Sequence, residues 1–220
     1  MLGRLGLALA AIAAAFAITG AGFHHPETNG PESRAAAHAV AVLTGLAGGD
    51  PATAIPADFG DVMGYDPVVV DAPGGVRVLV KPAGDCSSAL GATTFGFDLA
   101  CKHHDLGYDL LRYAARTGGE LGPWARRAID GRLAAVMDEQ CTAIDGGPAC
   151  RTVGWIFEQA VRANSWRQGH GVPVSEQGAP YLLAGGLIGA AVAGPPLAGR
   201  LRARWRRSAV ATTTRTAARG

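Results

Sequence analysis

The strongest constraint on what this chain can fold into is its set of four cysteines, Cys86, Cys101, Cys141 and Cys150. They bracket two stretches with helical character, about 98–116 and 123–140. An even number of cysteines in an exported chain is read as disulfides. Export itself is read from the amino terminus, where Arg4 precedes an apolar run from Leu5 to Ile18 and then Thr19-Gly20-Ala21-Gly22. That order is a basic region, a hydrophobic region and a small-residue cleavage site, so residues 1–21 are expected to be a signal peptide. An uncleaved anchor would place the following residues in the same compartment. At 220 residues the chain is long enough for one domain with appendages and a modest core.

Residues 22–65 are expected to form a leader of helix and loop. Within it, Glu32 to Leu46 has apolar residues at helical spacing and a Gly48-Gly49 stop. Pro51 to Tyr65 is broken by prolines and glycines and is expected to be loop with short turns at most. Residues 66–168 are read as the domain that carries the site. Two β-branched runs, 67–70 and 76–80, flank Asp71-Ala72-Pro73-Gly74-Gly75 and predict a β-hairpin. A long helix is expected from Asp98, its N-cap, to Arg116, ended by Thr117-Gly118-Gly119. A second opens at Gly122-Pro123 and runs to about Gln140. A third is expected over about Thr152 to Asn164, after a turn at Asp145-Gly146-Gly147-Pro148. The polar stretch to Pro180 reads as a linker, assigned to 169–180.

Tyr181 to Leu197 is apolar throughout and seven arginines follow it within the last 21 residues. This predicts a transmembrane helix over 181–198 and a basic cytoplasmic tail over 199–220. A plainer alternative is a hydrophobic segment packed on the domain or lying at the membrane interface. The tail also masks the charge of the body. With those seven arginines and Arg4 set aside, 12 of the 20 basic residues stand against all 18 acidic ones, so 22–199 carries about −6 although the whole chain is +2. An acidic body excludes nucleic acid as the main partner.

The candidate chemistry lies at Cys101-Lys102-His103-His104-Asp105-Leu106-Gly107-Tyr108. On a helix, His104 and Tyr108 share a face, with Cys101 one turn earlier and Asp105 about 100° round. On the next helix Asp130 shares a face with Leu133, Ala134, Met137 and Cys141. A carboxylate on such a face is costly without a partner, and a histidine from the facing helix would suit it. That pair would make a general base oriented by a carboxylate. Asp105 and Asp85 are oxygen ligands of the kind calcium takes. Plainer readings stand beside these: Asp130 paired with Arg126 or Arg127, Tyr108 as core, and His103-His104-Asp105 as a zinc cluster. Neighbours at i and i+1 point apart, which argues against the last.

Residues 85–150 resemble the prokaryotic and fungal secreted phospholipase A2 family. The resemblance rests on Cys-Lys-His-His-Asp-Leu-Gly-Tyr (101–108), which fits Cys-x-x-His-Asp-x-Gly-Tyr. Asp85-Cys86, Phe95-Gly96-Phe97, Ile129-Asp130 before Cys141, and Cys150 extend it. It implies a mainly α fold, with an antiparallel helix pair stapled by Cys86–Cys101 and Cys141–Cys150; the third helix, the small hairpin and the C-terminal transmembrane helix are read from the residue patterns above, the last as an addition to a family whose secreted members are mostly soluble. It implies calcium-dependent hydrolysis of the sn-2 ester of glycerophospholipids. His104 would be the general base, Asp130 its orienting carboxylate, Tyr108 a supporting hydrogen-bonder, and Asp105 with Asp85 the calcium ligands. Asp85 stands immediately before Cys86, where the family often has one residue between. The expected partners are phospholipid and the membrane, the latter through Tyr181–Leu197 and the flanking arginines. The rival reading is a catalytically silent, membrane-tethered module that binds lipid or protein.

Overall fold

Helix α1, Arg34–Leu43, is the first element described, followed by two short helices, α2 (Pro51–Ala54) and α3 (Phe59–Met63). Strands β1 (Val68–Asp71) and β2 (Arg77–Val80) come next, then three long helices: α4 (Asp98–Arg116), α5 (Pro123–Ala143) and α6 (Gly147–Arg167). The structure, a computed structural model, describes residues 30–72, 77–84, 86 and 95–174. The expected signal peptide, transmembrane helix, basic tail and Asp85 lie outside the described residues. Among the described residues no helix is long and apolar enough to cross a membrane.

The helices α4 and α5 run antiparallel, because their contacts pair rising numbers with falling ones. Gln140 Nε2 donates to Phe95 O, His104 meets Asp130, and Arg126 meets Tyr108. Helix α6 returns along α5 in the same way, from the Cys141–Cys150 bridge at one end to a Ser165–Arg126 contact at the other. The second bridge, Cys86–Cys101, ties the segment after β2 to α4. By loop entropy each bridge contributes about 3 kcal/mol. The hairpin pairs Val68 with Val80 and Asp71 with Arg77 in antiparallel register.

Two apolar clusters share the α4–α5 pair. One gathers Ala36, Ala39, Val40 and Leu43 of α1 against Leu106, Leu110, Ala114 and Ile129. The other joins Phe97, Ala100, Cys101, Leu133, Met137, Cys141, Cys150 and Phe157. The level of His104 and Asp130 falls where one cluster gives way to the other. The helices close tightly there: a Cβ on Gly107 would lie 2.6 Å from Ile129 Cγ2. Only a residue without a side chain permits that approach.

Several expectations are corrected. Asp98 is not the N-cap of α4; Phe97 occupies that position without a side-chain bond, and Asp98 lies in the first turn, where its charge favours the helix N-terminus. The stretch 51–65 is not merely loop, since Asp50 caps α2 through its side chain and α3 buries Phe59. The third helix is longer than expected at both ends. The stretch from Ser165 onward, read as polar linker, packs onto the bundle as far as it is described: Gly171 O and Pro173 O accept from Arg126 and Arg112.

The Gly107–Ile129 contact makes a stability prediction. Gly107→Ala gains about 1 kcal/mol of helix propensity and loses about 1–3 kcal/mol to overpacking, so the midpoint of urea unfolding is expected to fall. An unchanged or raised midpoint would show that the helices can separate at no cost.

Candidate active site

Antiparallel pairing brings His104 of α4 opposite Asp130 of α5. Their side chains meet at 3.0 Å, Nε2 to Oδ1, with His104 8% and Asp130 4% exposed. Tyr108, one turn along α4, donates its phenol to the same oxygen at 2.9 Å. The His104 and Tyr108 rings lie 4.1 Å apart between centroids. Because an ionised carboxylate only accepts, this bond assigns the imidazole proton to Nε2. Nδ1 is thereby the nitrogen with a lone pair to offer.

Behind this pair is a layer that the sequence reading lacked. Tyr108 OH is 3.1 Å from Ser165 Oγ, and Arg126 Nε donates to Ser165 Oγ at 2.9 Å. Arg126 Nη1 donates to Gly171 O at 2.9 Å, and its guanidinium lies 4.8 Å from the Tyr108 ring centroid. Arg126 and Ser165 are both fully buried. One set of proton positions satisfies the row: Arg126 to Ser165, Ser165 to Tyr108, Tyr108 to Asp130, with His104 donating to Asp130 from the other side. Burial, and then the neighbouring Asp130 charge, push the Tyr108 phenol up to about 12, which keeps it a donor at neutral pH. Asp130 therefore does not pair with Arg126, which the sequence left open; that cation reaches it only through hydroxyl groups.

Asp105 lies on the same helix but faces the segment after β2. A Cβ on Gly84 would come 3.0 Å from Asp105 Oδ2 and 3.0 Å from Lys102 Cα, so glycine leaves room for the carboxylate beside loop backbone. A carboxylate is an oxygen ligand of the kind that a hard cation takes. Asp85, the other expected ligand, lies outside the described residues. Among the described residues no three metal-binding side chains cluster.

His103 diverges from His104, as neighbours on a helix must. Its Nδ1 meets Leu79 O at 2.8 Å and ties α4 to β2, while Lys81 N bonds Lys102 O. Burial lowers the His103 pKa, against the pull of the Leu79 carbonyl, so the ring is held neutral and Nδ1–H donates. The sequence reading also passed over Asp109. It is buried, and accepts from Lys81 at 2.9 Å, Tyr65 at 2.9 Å and Arg112 at 2.7 Å. Burial alone would raise its pKa, but those three donors outweigh it and hold the carboxyl below its usual value. Asp109 thus anchors Lys81, the residue that leads into the Gly84 segment. Its spacing from Asp105 and Arg112, one turn each way, was a signal for it in the sequence.

Fold and site together define a disulfide-stapled helical domain that presents a buried histidine–carboxylate pair. No family model, no curated protein and no solved structure matches the chain. Its chemistry therefore has to be argued from the arrangement itself.

The state of His103 sets a pH dependence. Its folded pKa is below the unfolded value of about 6.5, so the unfolded chain takes up the proton first. The stability from the neutral ring is complete above that pH and is lost as pH falls towards the folded pKa. Between pH 7.5 and 5.5 the urea midpoint is expected to drop, and to drop less in His103→Asn, whose amide keeps a donor near Nδ1. Equal drops would show that His103 titrates alike in both states.

Proposed function

We propose that this chain is a calcium-dependent hydrolase of the sn-2 ester of glycerophospholipids, an exported and membrane-tethered domain of the secreted phospholipase A2 type. The observation that carries the reading is the buried His104 Nε2–Asp130 Oδ1 bond at 3.0 Å, doubled on the same oxygen by Tyr108. That is the arrangement a general base needs, with one ring nitrogen fixed and the other available. The substrate class is supported by the resemblance of residues 101–108, where each motif position is occupied.

His104 Nδ1 takes a proton from water as the water oxygen bonds to the ester carbonyl carbon. The imidazolium that forms is stabilised by Asp130, whose own charge is steadied by Tyr108 and, through Ser165, by Arg126. The ester bond to glycerol then breaks, and Nδ1–H returns its proton to the departing oxygen, releasing a fatty acid and a lysophospholipid. Calcium, held by Asp105 with backbone of the Gly84 segment and Asp85, would polarise the carbonyl and offset charge on its oxygen. The buried row behind Asp130 costs no reorganisation during the reaction, because its donors are already aimed.

Fatty-acid release from mixed phospholipid vesicles by the full-length, oxidised chain tests this. Release is expected to need calcium, and to fall roughly 10²–10⁴-fold in His104→Ala and in Asp130→Asn. Release that survives both chelator and His104→Ala would remove the site assignment. No release from folded protein would leave the silent binding module.

Calcium binding has a separate readout. At a hundred times its dissociation constant, calcium should stabilise the fold by about 2.7 kcal/mol, measured by thermal unfolding, and Asp105→Asn should abolish the gain. A gain that persists in Asp105→Asn would place the cation elsewhere.

A further inference from the structure

Helix α6 has two unlike faces. Inward it presents Cys150, Gly154, Phe157 and Ser165, all buried. Outward it presents Trp155 at 59% exposure, Trp166 at 50% and Ile156 at 43%. Trp155 and Trp166 are eleven residues apart, so at 100° per residue they fall within about 20° of one another, three turns along one line. Between and beside them on that face are Thr152, Gln159 and Ala163, with Glu158, about 60° from Trp155, at the edge that carries the arginines. Arg151 and Arg162 border one edge of the stripe and Arg167 the other.

An indole on the surface exposes a large apolar area with a single donor, a form that fits the headgroup level of a bilayer. The bordering cations fit phosphate. Arg151 lies 3.4 Å from the exposed Asp138, Arg162 lies 2.8 Å from the half-buried Glu158 and Arg167 donates to Asn164 Oδ1 at 2.7 Å, and such ties at a surface contribute little. A surface dense in phosphates competes readily with them. Three arginines against the single Glu158 leave α6 with a positive balance. The chain supplies a second argument. Val174, just past α6, is 59% exposed. The uncharged run Tyr181–Leu197 begins within seven residues of it, at most about 25 Å of extended chain. If that run enters a bilayer, the Trp166 end of α6 is held close to its surface.

We infer that the outer face of α6 docks on an anionic lipid bilayer, with Trp155 and Trp166 at headgroup depth and the bordering arginines on phosphates. The inference does not rest on the hydrolytic reading. Its inner face supports the Tyr108–Asp130 row through Ser165, so one helix would both brace the site and hold the domain to lipid.

The test uses the full-length chain with ether-linked lipids, which contain no ester to cleave, so docking and hydrolysis fail independently. Vesicles of phosphatidylcholine and phosphatidylglycerol with brominated chains would report tryptophan contact by quenching. The quenched fraction is expected to fall in Trp155→Phe and in Trp166→Phe, and to fall when phosphatidylglycerol is omitted or Arg162 is changed to Glu. Near-ultraviolet circular dichroism checks that these surface variants stay folded. Equal quenching in wild type and both tryptophan variants would overturn the proposal, since the contact would then belong to Trp124 or Trp205. So would emission from Trp155 and Trp166 that is blue-shifted before lipid is added, which would put another part of this chain or a second copy on the face.

Discussion

A carboxylate buried between two helices must be compensated, and the arrangement around Asp130 is the compensation. An ion of that size loses several kcal/mol of hydration even after relaxation, and its side chain is almost wholly shielded. Two donors on one oxygen, His104 and Tyr108, replace much of that hydration. Tyr108 is itself supported by Ser165 and Arg126. Removing any member would leave a neighbour buried and unpaired, which costs more than the bond alone contributed. The row therefore holds α4, α5 and the end of α6 in one register.

That register needs close approach, and a glycine supplies it. Gly107 lets Ile129 lie against the α4 backbone one turn from His104 and next to Tyr108. The two bridges tie chain ends, Cys141–Cys150 where α5 turns into α6 and Cys86–Cys101 where the segment after β2 meets α4 one turn before His104. The polar ties fix the site, and the covalent ties fix the chain that leads to it.

A second buried carboxylate does for the Gly84 segment what Asp130 does for the base. Asp109 holds Lys81, Tyr65 and Arg112, and Arg112 in turn reaches Pro173 O. The path from β2 to Asp105 and the segment after α6 are consequently anchored on neighbouring turns of α4. One helix organises both the proposed base and the proposed cation site, through residues spaced three to five apart.

The sequence by itself determined the long helices, the hairpin and the pairing partners in the motif. These depend on local patterning: apolar residues at helical spacing, Pro123 in a first turn, glycines after α4, β-branched runs around a turn. The expected span of α4 matched residue for residue, although its cap did not, because Phe97 closes the helix by packing and no side-chain acceptor is used. It also made legible that Asp130 needs a partner on α4. Only the tertiary structure decided what stands behind that partner. Ser165 is 57 residues from Tyr108 and 39 from Arg126, and Ser165 read as the start of a polar linker. Nothing local marks a serine as buried or an arginine as fully enclosed. Both become so because α6 folds back along α5, and the cost of burying them is offset in part by contacts that exist only in the folded chain, Arg126 Nη2 being buried without a hydrogen-bond partner.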